Sequence, residues 1–171
     1  MKDMSQDTTL TDIDPALIAG CTLRVAPDWI DANGHMNVAY YVQAFDQATD
    51  YFLERINLGW SYLEKDNGST FTADMNVSYI NEVHLDAPLA FTTQLIGFDD
   101  KRVHYFHQMF HAEEGFLAAT NECLSLHVDM STRKVAPIPS AQVALLQEIQ
   151  ERQAHLPAPS RLGRVMKTKS K

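Results

Sequence analysis

Between residues 38 and 57, apolar side chains recur every three or four positions: Val38, Tyr41, Val42, Phe45, Ala48, Phe52, Leu53 and Ile56. Gln43, Asp46, Gln47, Asp50 and Glu54 fall between them. This spacing predicts a helix of about five turns with one core-facing stripe, and Asn37 stands where its side chain can cap the first turn. From residue 71 the period shortens to two. Phe71, Ala73, Met75, Val77 and Tyr79 alternate with Thr72, Asp74, Asn76 and Ser78, the pattern of a strand with one buried face. Three further β-like runs follow at 87–98, 102–112 and 116–130. The breaks between them are short enough for hairpins, which makes these strands antiparallel neighbours. A short run at 21–25, ended by Pro27, predicts a first strand. Residues 57–68 read as a connector, the "PIPS" at 137–140 stops the sheet, and 141–153 reads as a terminal helix. Strand, long helix and four-strand meander together predict an α+β domain in which about five antiparallel strands wrap one helix.

Composition narrows the picture. The 171 residues, 45% of them hydrophobic, are enough for one domain with a real core. Residues 1–19 mix Asp, Thr and Ser without period and are expected to form a flexible leader ahead of a domain over 20–155. The last eleven residues, "RLGRVMKTKSK", hold five of the fourteen Lys and Arg and no acid, so 156–171 is expected to be a basic, disordered tail. Without those five, nine basic residues face 22 acidic ones, a balance of about −13. A body so acidic repels polyanions, which argues against nucleic acid as a partner. Cys21 and Cys123 lie a hundred residues apart in apolar surroundings with no CxxC pair, as expected for buried thiols in a reducing compartment. With no apolar leader and no window long enough to cross a bilayer, the expectation is a cytoplasmic protein that does not engage membranes.

One stretch carries chemistry. "WIDANGHMNVAYY", residues 29–41, sets Asp31, Asn33, Gly34, His35 and Asn37 directly ahead of the long helix. A helix start offers unpaired N–H groups and the positive end of the helix dipole, so an anion forming there is stabilised. Asp31 can act as nucleophile or general base, and the N–H groups around Asn37 and Val38 can hold an oxygen gaining charge. Gly34 permits a tight turn, and His35 can orient Asp31 or simply bond the loop. The competing reading of Asp31 is an Asx turn. Elsewhere, strand geometry turns His104 away from His107 and His111, so no metal site is expected. Ser125 and His127 lack a nucleophile elbow. Asn121 and Glu122, in an apolar strand, call for pairing or a supporting role.

"DANGHMNVAYYVQAFDQA", with Asp31, Gly34, His35, Asn37 and Tyr40 in place, resembles the D-x-x-G-H-x-N-x-x-Y pattern of hotdog-fold acyl-CoA thioesterases of the 4-hydroxybenzoyl-CoA thioesterase type. The likeness extends over residues 22–139. "YINEVHLDAPL", "KRVHYFHQMFHAEEGFLAATNE" and "LHVDMSTRKVAPIP" look like the thioesterases of bacterial carnitine breakdown, which act on betainyl-CoA and related trimethylammonium acyl-CoAs. The resemblance implies a hotdog fold, hydrolysis of a short acyl-CoA without metal or redox cofactor, Asp31 as the catalytic nucleophile or general base, and a homodimer or dimer of dimers. A quaternary ammonium has no N–H, so aromatic faces must recognise it, and Trp29, Tyr40, Trp60 and Phe71 are the candidates. Two other readings stand beside this one: a broad-range short or aromatic acyl-CoA thioesterase, and a non-catalytic acyl-CoA-binding hotdog protein. A hotdog dehydratase fits less well, because its helix would carry a His and this one has none.

Overall fold

A computed structural model of the chain describes Leu10 and residues 13–168. Strand β1 (Ile18–Arg24) leads through a 3-10 turn (Pro27–Trp29) to helix α1 (Val38–Arg55) and helix α2 (Trp60–Asp66). Strands β2 (Gly68–Tyr79), β3 (Pro88–Phe98), β4 (Arg102–His111) and β5 (Leu117–Asp129) follow, then a two-residue strand β6 (Lys134–Val135) and helix α3 (Ser140–Arg152). All pairings are antiparallel, in the order β1-β3-β4-β5-β2, with β6 added to β5. This is the α+β hotdog arrangement of one long helix against an antiparallel sheet, with a C-terminal helix.

Helix α1 buries Tyr41, Ala44, Phe45, Ala48, Thr49, Phe52 and Leu53. Its first half packs on Leu89, Phe91, Met109 and Ala119, and its second half on Leu95, Tyr105, Cys123, Leu146 and Ile149. Phe45 and Phe52 are fully buried, each stabilising the fold by about 2–3 kcal/mol. Beneath them His107 is also fully buried, its Nδ1 2.8 Å from Thr93 Oγ1 and its Nε2 3.0 Å from Thr49 Oγ1. These two hydroxyls satisfy both ring nitrogens, and burial pushes the imidazole down to about 3.

Several expectations need correction. The helix stops at Arg55, where Ile56 caps it and Asn57 turns to φ 54°. Val38 is 56% exposed rather than part of the buried stripe. The supposed connector holds α2, whose buried anchor is Tyr62. In β2 a bulge at Ala73 shifts the register, so that Thr72 pairs with Ser125 but Asp74 with Leu124. An extra residue on one strand reverses the alternation beyond it. Met75 and Tyr79 therefore share the inner face with their partners Cys123 and Ala119, whereas Phe71 pairs with Leu126 on the outer face. Of the expected leader, Ile18 and Ala19 belong to β1, and residues 1–9, 11 and 12 lie outside the described residues.

The tail, described to residue 168, is not a free chain. Gln94 Nε2 donates to Pro157 O (3.3 Å), Gly163 N to Glu122 Oε2 (2.7 Å), Asn76 Nδ2 to Arg164 O (2.7 Å) and Arg164 Nη1 to Ser78 Oγ (3.0 Å). These contacts run from β3 across β5 to β2, a strap over the sheet's outer face. Gln153 performs a related task at the sheet's end. The β1–β3 ladder ends at Ile18 and Thr93, and beyond it the buried Gln153 amide accepts from Leu95 N (2.8 Å) and donates to Ala16 O (3.0 Å).

Candidate active site

Residues 30–36 form a miniature hairpin. Ile30 bridges Met36, Asp31 N donates to His35 O (3.1 Å), and Gly34 N to Asp31 O (3.0 Å). Gly34 closes the tip at φ +83°, with open space where a side chain would start, so backbone conformation demands the glycine there. The hairpin is tied down on two sides: Asn37 N donates to Trp29 O (2.9 Å), and Met36 N donates to Val83 O (2.9 Å). His84 Nδ1 lies 3.1 Å from Gly34 O and donates to it. The loop at 80–87, which the sequence alone did not single out for this role, thus holds the tip from the far side. Its contacts cross about fifty positions, and no local pattern betrays them.

The hairpin delivers Asp31 to the start of α1. Asp31 Oδ1 accepts from Asn33 N (2.8 Å), so the Asx turn forms. Its other oxygen, Oδ2, has no hydrogen-bond partner among the described residues. His35 Nδ1 sits 4.0 Å from Asp31 Oδ1 and 3.3 Å from Met36 O, which gives the ring a contact with the loop backbone as well as the carboxylate. Asn37 caps the helix by accepting from Ala39 N (3.0 Å), and its carbonyl accepts from Tyr40 N (3.0 Å). Of the two N–H groups expected to be open, that of Asn37 is occupied by Trp29 O. The Val38 N–H has no partner among the described residues. A carboxylate with one unpartnered oxygen thus sits on the hairpin that leads directly into an 18-residue helix, whose positive end carries the Val38 N–H.

The four aromatic candidates do not meet. Trp29 and Tyr40 stack at 5.6 Å with rings 13° apart, beside the helix start. Trp60 follows the other end of α1, about 27 Å along the axis, and is 62% exposed. Phe71 lies on the outer face with the Arg133 guanidinium 6.0 Å over its ring. A cage of all four within one chain is excluded by the length of the helix.

The remaining polar candidates resolve into local partnerships. His104 Nε2 is 2.9 Å from Glu122 Oε1 on the outer face, and His111 Nδ1 accepts from Glu114 N (3.1 Å). Ser125 Oγ is 2.9 Å from Tyr105 Oη, while His127 contacts Tyr62 Oη and Ala136 O, each at 3.0 Å. Asn121 is buried, and neither of its amide atoms has a partner among the described residues. Burial, together with neighbouring Asp50, raises the Asp46 carboxyl on the helix. Burial pushes the Cys123 thiol up to about 12, which leaves it inert.

Residues 25–151 match the model of the thioesterase-like superfamily. The chain belongs to this family. Among its relatives is a betainyl-CoA thioesterase of Pseudomonas aeruginosa, 32% identical over 142 residues, covering 83% of this chain and 89% of that protein. A Ruegeria pomeroyi protein named L-carnitine dehydrogenase/betainyl-CoA thioesterase is 37% identical over 159 residues, and a Rhizobium meliloti protein of the same name 36% over 141. The matches cover 90% and 82% of this chain, which spans only 32% and 28% of those longer relatives. A Staphylococcus aureus protein solved in complex with CoA superposes with a TM-score of 0.82 at 25% identity, covering 90% of this chain and 96% of that one. The matched span of this thioesterase-like chain contains the whole hairpin, α1 and the sheet from β2 to β5, and begins at Val25, whose N–H is held by Ala87 O (3.0 Å).

Proposed function

We propose that this chain hydrolyses a short acyl-CoA, betainyl-CoA or a related trimethylammonium acyl-CoA, to the free acid and CoA. The observation that carries the reading is the Asp31 carboxylate, one oxygen of which has no partner among the described residues, on the hairpin that runs directly into α1, whose Val38 N–H has none among them either. The thioester carbonyl oxygen would accept from Val38 N–H, where the helix dipole favours the charge it gains. Asp31 would then attack the carbonyl carbon directly, or take a proton from the water that does. Gly34, His35 and Asn37 hold this geometry, and His84 braces it. No metal or redox cofactor enters the scheme.

The trimethylammonium assignment rests on the names of the relatives and on the Trp29–Tyr40 stack beside the helix start. An assembly follows from the sheet's edge. Strand β2 pairs only with β5 among the described strands, while Met75 and Tyr79 are 40% and 48% exposed and Val38 projects nearby. An apolar edge of this kind is covered when two copies join, giving a homodimer or a dimer of dimers. No described helix is long and apolar enough to cross a membrane, and the free thiols of Cys21 and Cys123 suit a cytoplasmic setting.

The test is a panel of acyl-CoAs incubated with the protein and a thiol-reactive dye. Release of free CoA, fastest with trimethylammonium acyl groups, supports the reading. Binding without thiol release would make the chain an acyl-CoA-binding protein instead, and a preference for long fatty acyl groups would overturn the substrate assignment.

A further inference from the structure

A trimethylammonium group carries its charge close to the reacting carbonyl. In a betainyl thioester one methylene separates the nitrogen from the carbonyl carbon, so the two lie about 2.5 Å apart, and an aromatic face recognises a cation only within about 6 Å. The ring that reads it must therefore stand at the start of α1 itself. Trp29 is buried in its stack with Tyr40, and its carbonyl holds Asn37 N, which makes it a brace for the hairpin. Three aromatic side chains are well exposed among the described residues: Trp60, Phe71 and Tyr79. Trp60 lies beyond the far end of the helix and Phe71 on the outer face of the sheet. Tyr79 alone of the three is in reach. Its hydroxyl lies 3.4 Å from the carbonyl oxygen of Val38, the residue whose N–H has no partner among the described residues.

The surroundings of Tyr79 suit that task. Its cross-strand neighbour is Ala119, whose methyl group is too small to cover the ring. Behind it the buried Tyr41 ring stands 5.2 Å away at 85° and fixes its orientation, while the Tyr41 hydroxyl donates to Asn81 O (3.4 Å). Burial pushes the Tyr41 phenol up and the charge of Glu82 adds to the effect, so an exposed carboxylate also stands within electrostatic reach of the pair. A second copy joining at β2 leaves the ring in place, because strand addition uses main-chain groups in the plane of the sheet, whereas the Tyr79 side chain leaves that plane on the inner side with Ala119. Joining encloses ring and acyl group together, and removes the water that weakens such a contact. We propose that Tyr79 is the specificity-determining residue for the acyl group, its ring taking the trimethylammonium while the thioester oxygen is held at Val38. This deepens the acyl-CoA reading above and rests on it.

The experiment measures kcat/KM of the full chain, of Tyr79→Leu and of Tyr79→Phe on two thioesters: betainyl-CoA, and 3,3-dimethylbutanoyl-CoA, which puts carbon in place of the charged nitrogen at the same size. The wild type is expected to prefer betainyl-CoA by about tenfold or more. Tyr79→Leu keeps an apolar side chain without a π face; it should lose about tenfold on betainyl-CoA, mainly in KM, and little on the neutral thioester, so that the preference disappears. Tyr79→Phe keeps the ring without its hydroxyl and should hold the preference within about threefold. Equal losses on both thioesters in Tyr79→Leu, an unchanged preference there, or a preference lost as fully in Tyr79→Phe overturns the proposal. Where a protein releases no CoA, calorimetry with the same two thioesters reads the preference as a ratio of Kd. The readings fail separately: a wild type that binds both thioesters without releasing CoA refutes the thioesterase reading, one that treats the two alike refutes the trimethylammonium assignment, and a preference that survives in Tyr79→Leu refutes the role of Tyr79 alone.

Discussion

Lowering the pH from 8 to 5 should weaken this fold through His107 alone by about 2 kcal/mol. The imidazole lies fully buried between Thr93 and Thr49, stacked near Phe45, and burial holds it down to about 3, whereas in the unfolded chain it titrates near 6.5. Between these values the unfolded state binds a proton that the folded state does not. The contribution is therefore fully present above about pH 6.5 and is lost as the pH falls toward 3. At pH 5 the unfolded form is favoured about thirtyfold by that proton, which is the 2 kcal/mol. His107→Gln removes the titration while keeping an amide that can bond the hydroxyls. Urea unfolding of both proteins at pH 8 and pH 5 isolates the effect, because every other titrating group cancels in the difference of differences. The wild type should lose about 2 kcal/mol more than the variant over this interval. Equal losses, or an NMR titration of His107 in the folded protein near 6, would refute the argument.

Gly34→Ala should lower stability by about 1–2 kcal/mol, since φ +83° disfavours any side chain; with nothing to clash against, the chain still folds, and turnover falls with the displaced hairpin. Gln153→Leu strands the buried Leu95 N–H and should cost about 1–3 kcal/mol in urea unfolding. Met75→Lys places a charge on the inner face of the exposed β2 edge and should shift the protein toward a 19.3 kDa monomer in light scattering; an unchanged mass would refute the proposed use of that edge.

Much of this architecture was legible because periodicity reports burial. Helix α1 and strands β3 to β5 stand close to where the spacing put them, since each buries a long regular face. Helix α2 escaped because only Tyr62 of its seven residues is buried and no side chain caps its start. The bulge at Ala73 left no trace in the alternation of β2, and it moved Phe71 to the opposite face from Met75. The tail looked free because its composition is basic and polar, while its anchors, Glu122, Asn76 and Ser78, lie far upstream. At the site, Asp31, Gly34 and Asn37 announced a turn and a cap locally. His84 and Gln153 act across long sequence separations, and no pattern within either segment requires them.

The central claim is that Asp31 performs the chemistry rather than merely shaping its loop. Asp31→Asn tests it most directly, because an amide oxygen can still accept from Asn33 N and keep the Asx turn while removing the anion. With a short trimethylammonium acyl-CoA that the wild type hydrolyses, the account predicts an unchanged melting temperature within a few degrees and a kcat lower by at least about a hundredfold. A variant that folds normally and releases CoA at close to the wild-type rate would contradict it.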